Sequence, residues 1–167
     1  MAEVNPRDRL QPFLFDRLTD DEPRSNLEGR ERRVYSPRQV QQSILRDLGW
    51  LLNARAHRAA DGLAEFPEAE RSVINYGIPD LAGLTVSSIE PAQLERVVLK
   101  AVKAFEPRFA GHTLQVRLLT QDESGGRMPN VMGFEIRGEI QTNPLAYALY
   151  VKTELDLETG QFVLKDR

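Results

Sequence analysis

The hydrophobic period of this chain changes once, at Pro107, and that change limits its fold more than any other feature. Upstream, apolar residues recur at helical spacing. Ser36, Pro37 and Gln39 supply an N-cap, a proline at the first helical position and a capping-box partner. Val40, Ile44, Leu48 and Leu51 then form a stripe that Leu45 and Leu52 widen, predicting a helix from Ser36 to about Arg55. A second helix starts between Ser88 and Pro91 and carries Leu94, Val97, Val98, Ala101, Val102 and Phe105 on one face. It has to stop before Pro107, because the proline ring clashes with a preceding residue in the α region. Downstream the period falls to two. Leu114, Val116 and Leu118 alternate with polar residues, and Phe134, Ile136 and Ile140 alternate with Glu135, Arg137, Glu139 and Gln141. Two further runs, 147–155 and 162–164, flank a hairpin turn of sequence Asp-Leu-Glu-Thr-Gly.

Helices first and strands afterwards predict an α+β domain, with N-terminal helices packed on an antiparallel sheet of about four strands. Residues 67–83 read as a short helix from Pro67 that Gly77 stops, closing a corner of the core with Val73, Ile74 and Leu81. The composition of residues 122–130, DESGGRMPN, is that of a loop. Within the first helix, Trp50 lies roughly 200° around the axis from Leu48, as a second core contact or an exposed anchor. Gly49 beside it costs about 1 kcal/mol relative to alanine; either close packing requires it or the helix tolerates it.

A chain of 167 residues that is 41% hydrophobic and 28% charged supports one packed domain, here 36–167. Residues 1–35 have the composition of a flexible arm. Asp16, Asp20, Asp21 and Glu22 precede Arg24, Arg30, Arg32 and Arg33. Within that arm, Leu10, Phe13, Leu14, Phe15 and Leu18 crowd together, either to fold back on the domain or to dock on a partner.

The formal charge of −3 supplies no field for non-specific nucleic-acid binding. The absence of cysteine removes disulfides, thiolate metal sites and a cysteine nucleophile, and the two histidines have no ligand spacing, so no metal or cofactor is expected. The N-terminal residues lack the apolar run of a signal peptide, and no window reaches the ~20 apolar residues of a membrane span. A soluble cytoplasmic protein is expected. Eighteen of the 22 basic residues are arginine, the cation favoured at protein interfaces.

No nucleophile elbow, phosphate loop, dinucleotide fingerprint or zincin motif is present. A glycosidase needs two carboxyl groups flanking a cleft; Glu106 could be one, with Asp80, Asp122 or Glu123 as nominal partners. Glu106 is also anomalous on electrostatic grounds, since a carboxylate at a helix C-terminus faces the negative end of the dipole whereas Arg108 there is favourable. If 106–108 is extended, Glu106 and Arg108 point to the same side, with Pro107 stiffening the backbone between them. Such a pair either closes as an internal salt bridge tying the helix end to the sheet, or is offered to a partner.

RLTDDEP (17–23), SILRDLGWLLN (43–53), RSVINYGIPDLAG (71–83), FEPRF (105–109) and ELDLETG (154–160) occur in this order along nearly the whole chain. Together they resemble the TssE family of type VI secretion baseplate wedge subunits, within the lysozyme-like wedge family of contractile phage tails. RSVINYG and FEPR are the specific part. Phe109 departs from the family's more usual leucine, and Gly49 replaces a residue that is usually charged.

The resemblance implies a structural, non-enzymatic component of a contractile-tail-like machine, associated with a baseplate at the inner face of the cytoplasmic membrane. It implies docking through Glu106, Pro107 and Arg108 on the other wedge subunits TssF, TssG and TssK, with the tail sheath as a further contact. With it, the charge pair reads as a partner-binding feature, joined by Phe13, Leu14 and Phe15 of the arm. The family label keeps a peptidoglycan-cleaving glycosidase as the alternative.

Overall fold

The computed structural model describes residues 10–19, 23–24, 35–57, 63–82, 90–119, 130–142 and 146–165. In chain order its helices are α1 (Leu14–Leu18), α2 (Pro37–Asn53), α3 (Pro67–Arg71) and α4 (Pro91–Phe105). The strands β1 (Gln115–Leu118), β2 (Val131–Ile140), β3 (Tyr147–Asp156) and β4 (Gln161–Lys165) follow, paired antiparallel in the order β1-β2-β3-β4. This is the α+β architecture that the change of period predicts.

The N-terminus of α2 forms as its sequence dictates. The Ser36 side chain accepts from the Gln39 amide at 3.3 Å, and the Gln39 side chain accepts from the Ser36 amide at 2.8 Å. Val40, Ile44, Leu48, Leu51 and Leu52 are buried from α2, and Leu94, Val98, Ala101 and Val102 from α4. They cover one face of the sheet, where Phe134, Ile136, Ile140, Leu149, Val151 and Leu155 complete the core. α2 lies over β4 and α4 over β1. A β-carbon at Gly49 would meet the Leu164 side chain at 3.6 Å, an ordinary contact, so no close approach requires the glycine.

The strand alternation holds for the apolar residues but not for every polar one. Glu135 is buried on the other face of β2, where the Tyr150 hydroxyl donates to it at 3.0 Å and Arg117 at 3.2 Å, and Arg137 pairs with its second oxygen. The β3–β4 turn closes through the Asp156 carboxylate, which accepts the Glu158 amide at 2.8 Å, and through Gly160 at a φ of 70°. Residues 122–129 of the expected loop, and Ser88 at the expected start of the second helix, lie outside the described residues.

Residues 67–82 depart from expectation. α3 ends at Arg71 rather than near Gly77, and a 3-10 turn, Val73–Asn75, follows it. Leu81 is buried as expected, whereas Val73 is 83% and Ile74 80% exposed, so neither closes the core. The reason is the anchoring of Asn75, whose side-chain amide donates to the Glu70 carbonyl and whose oxygen accepts the His57 amide, both at 2.9 Å. That anchor turns the inward positions over to Tyr76 and Ile78. Gly77 is required by a φ of 123°, and a β-carbon there would come within 2.3 Å of the Ala54 carbonyl oxygen.

Candidate functional site

α4 ends where Pro107 requires. Phe105 is its last residue, and the Glu106 amide still donates to the Val102 carbonyl at 2.9 Å. The chain then turns into the sheet, because the Phe109 ring packs into the core against Gly138 and residues 108–110 hydrogen-bond beside the end of β2. Gln141 donates to the Arg108 carbonyl and Ala110 to the Glu139 carbonyl, both at 2.8 Å. Glu106 and Arg108 therefore sit on a backbone fixed at both ends.

The two side chains face each other, but across a turn rather than along an extended segment, since the Phe109 amide donates to the Glu106 carbonyl at 3.3 Å. The Arg108 Nε donates to the Glu106 carboxylate at 2.5 Å, its Nη2 pairs with the second oxygen, and its main-chain amide donates at 3.2 Å. Only 4% of the Glu106 side chain and 16% of that of Arg108 are exposed. Arg108 also reaches Asp47 on α2 at 2.7 Å, and Asp47 accepts from Arg46 at 2.8 Å. Arg46 in turn pairs with Asp16 of α1, which also accepts the Ser43 hydroxyl at 2.9 Å. Asp16, Arg46, Asp47, Arg108 and Glu106 thus form one chain of alternating charge joining the N-terminal segment, α2 and the end of α4. Burial pulls the Arg108 pKa down, but the hydrogen bonds and charge of Glu106, with those of Asp47, outweigh it and leave it raised.

The aromatic rings follow the same path. Phe13 lies over the Arg108 guanidinium at 4.4 Å, and Phe15 lies over that of Arg46 at 4.8 Å. Trp50 covers Arg46 from a second direction at 5.0 Å and meets Phe15 edge-on at 5.1 Å, which makes it a half-exposed anchor rather than a core contact. Phe13 is partly buried against the core, while Leu14 and Leu18 on the outer side of α1 are 69% and 75% exposed. Pro107, between the paired charges, is itself exposed. Tyr76 stacks edge-on with Phe105 at 5.3 Å, so RSVINYG and FEPRF meet in space. Burial, and after it the nearby carboxylates of Asp47 and Glu106, raise the Tyr76 pKa.

The structure brings together Glu106, Arg108 and Phe13, with Leu14 and Phe15 on the adjoining surface. Sequence reasoning missed Arg46, Asp47 and Tyr76, and missed Asp16 as a partner. Ser43, Arg46, Asp47 and Trp50 follow the i, i+3, i+4, i+7 spacing of one helix face, a signal present beside the apolar stripe. Among the described residues, the nominal partner Asp80 is engaged elsewhere than at Glu106. The Arg108 guanidinium stands between Glu106 and Asp47, and Asp80 pairs with Arg55 at 3.1 Å. Asp122 and Glu123 lie outside the described residues. Among the described residues no group of three histidine, aspartate or glutamate side chains is placed to hold a metal ion, and no helix is long and apolar enough to cross a membrane.

The chain matches the family model of baseplate wedge protein gp25 over residues 38–145, a stretch that holds α2 from its second residue, α4 and the Glu-Pro-Arg segment but not α1. No curated protein and no solved structure matches it significantly. The family is a structural one of phage-tail-like baseplates, whose members associate with other baseplate components. With the family model covering well over half of its length, the chain belongs to the baseplate wedge protein gp25 family.

Proposed function

We propose that the chain is the structural wedge component of a type VI secretion baseplate, and that it docks on the other wedge subunits through the face built around Glu106, Pro107 and Arg108. The observation that carries the reading is the clasp. Arg108, held by the buried Glu106, seats the Phe13 ring, and α1 beyond it turns Leu14, Leu18 and one side of Phe15 outward beside Trp50. Exposed aromatic and aliphatic side chains next to arginines have the composition of an interface core. Glu106 and Arg108 support that face from beneath, and Phe13, Leu14 and Phe15 shape it. The partners are TssF, TssG and TssK, with the tail sheath as a further contact, in a baseplate at the inner face of the cytoplasmic membrane. In this reading residues 1–35 are an arm on a single domain, 36–167.

The test is co-purification from the native host after Leu14→Glu and Leu18→Glu together. Neither residue is part of the core, so the variant keeps the wild-type melting temperature while the wedge subunits are lost from the pull-down. Normal recovery of those subunits with the doubly substituted chain would refute docking through this face.

A further inference from the structure

The outer face of the sheet, turned away from α2 and α4, holds a buried acid that the α1 docking face does not use. Alternation puts Glu135 and Arg137 of β2 on it with Tyr150 and Lys152 of β3. The register sets Arg117, Glu135, Lys152 and Lys165 side by side, one on each strand. Glu135 is 3% exposed and, among the described residues, is bound by Arg117, Arg137 and Tyr150. Burying a carboxylate is unfavourable until its partners compensate it, and an apolar strand residue would fill the position without that cost. What the carboxylate adds is order. It draws to one point two guanidiniums that would otherwise repel each other, with 47% of the Arg117 side chain and 49% of that of Arg137 left exposed. Arg137 reaches it through Nη2, one corner of a planar fork whose geometry suits a carboxylate.

Charge on this face is uneven. At its centre Arg117, Arg137, Lys152 and Lys165 outnumber Glu135 and Glu154, and Glu154 pairs with Lys165 at 2.5 Å. The other acids of the face, Glu139 and Asp156, stand at opposite ends of the sheet, where the Asp156 carboxylate is engaged by its own turn. A central excess of cations on a chain of formal charge −3 selects an acidic partner over a basic one. The negative total opposes a nucleic-acid backbone. Tyr150 and Val163, 38% and 58% exposed, set apolar surface beside the cations. Four strands about 4.8 Å apart make the row roughly 14 Å long, the reach of four or five extended residues. We propose that the outer sheet face around Glu135 is a second interaction surface, which takes an extended acidic segment of another baseplate component with its carboxylates against Arg137 and Lys152. The surface is separate from the α1 face and does not depend on docking there.

The probe is an acetylated hexaglutamate amide, titrated into the nitrogen-15-labelled full chain and followed by amide chemical shifts. The expected result is saturable binding with shifts confined to the outer residues of the sheet, weakened at least tenfold by Arg137→Gln with Lys152→Gln. Lys100→Gln with Lys103→Gln, which removes the same charge from α4, leaves the affinity within twofold. Should the first pair unfold, Lys152→Gln with Lys165→Gln leaves both arginines on Glu135 and is expected to weaken binding severalfold. In baseplates isolated from the native host, a carbodiimide, which joins an amine to a carboxylate in contact with it, should link Lys152 to an aspartate or glutamate of a neighbouring subunit. Shifts spread evenly over the surface, or equal weakening by the α4 pair, would reduce the site to non-specific charge attraction and overturn it. Equally tight binding of hexathymidylate or hexalysine, or carbodiimide links from Lys152 only to residues of this same chain, would overturn the choice of occupant. The titration uses the isolated chain, so its outcome is unchanged if the Leu14 and Leu18 variant still recovers its wedge subunits and the α1 reading fails.

Discussion

Replacing Arg108 by alanine is the most informative single change, because it separates a buried structural pair from a surface one. The wild-type carboxylate of Glu106 is 4% exposed and receives Arg108 through both oxygens. Without the guanidinium it retains, among the described residues, the main-chain amide of residue 108, at 3.2 Å. Removing one partner of a buried pair costs about 3–5 kcal/mol, because an uncompensated charge stays behind. Arg108 is 16% exposed, and Asp47 keeps Arg46, so the low end, about 3 kcal/mol, applies. Glu106→Gln leaves Arg108 with Asp47 and keeps an acceptor, which puts its cost nearer 1–2 kcal/mol. The double variant leaves no orphan and should cost at least 1 kcal/mol less than the sum. Urea unfolding followed by circular dichroism reads all three as midpoint shifts at unchanged slope. In a domain of this size the Arg108→Ala loss also lowers Tm by roughly 10 °C. A cost below about 1 kcal/mol for Arg108→Ala, the range of exposed ion pairs, or strict additivity in the double variant, would refute the buried network.

Gly49→Ala should stabilise the chain by about 1 kcal/mol, since the new methyl group meets Leu164 at an ordinary distance, and thermal melting checks it. Gly77→Ala runs the other way, losing about 1–3 kcal/mol of stability in the same assay, because φ is 123° and the Ala54 carbonyl blocks the β-carbon. Although burial alone would raise the Glu135 pKa, the hydrogen bonds of Tyr150, Arg117 and Arg137 hold it below the ordinary 4.5. A depressed folded-state pKa contributes stability above the unfolded value that is lost as pH falls through the folded one. Stability measured from pH 6 to 2 should therefore decline less steeply below about pH 4.5 in Glu135→Gln than in the wild type. Val73→Asp with Ile74→Asp should change stability by less than about 0.5 kcal/mol per site, which a urea titration would contradict if the pair were core.

What the sequence discloses here follows from whether a feature is local. The cap at Ser36, the stop at Pro107 and the inward apolar residues of β2 are set by neighbours within a few residues, and each is found where the pattern puts it. Val73 and Ile74 mislead because a three-residue turn has no period, and the side chain that orients it, Asn75, answers to His57 eighteen positions away. The site divides in the same way. Glu106 and Arg108 meet across the local turn at Pro107, but the third partner, Asp47, is 61 positions from Arg108. A partial signal existed. Glu106 is unfavourable at its own helix end and almost fully buried, so something outside its helix has to compensate it. Asp47 likewise borders an apolar stripe next to Leu48, and one guanidinium serves both carboxylates. Two misplaced acids on separate helices with one arginine beside a helix end make a specific pairing hypothesis, and it is the arginine that lets both acids stay near the core. Phe13 and Phe15 then acquire a reason that arm composition does not give them: their spacing of two matches the pair of guanidiniums that the acids hold in place.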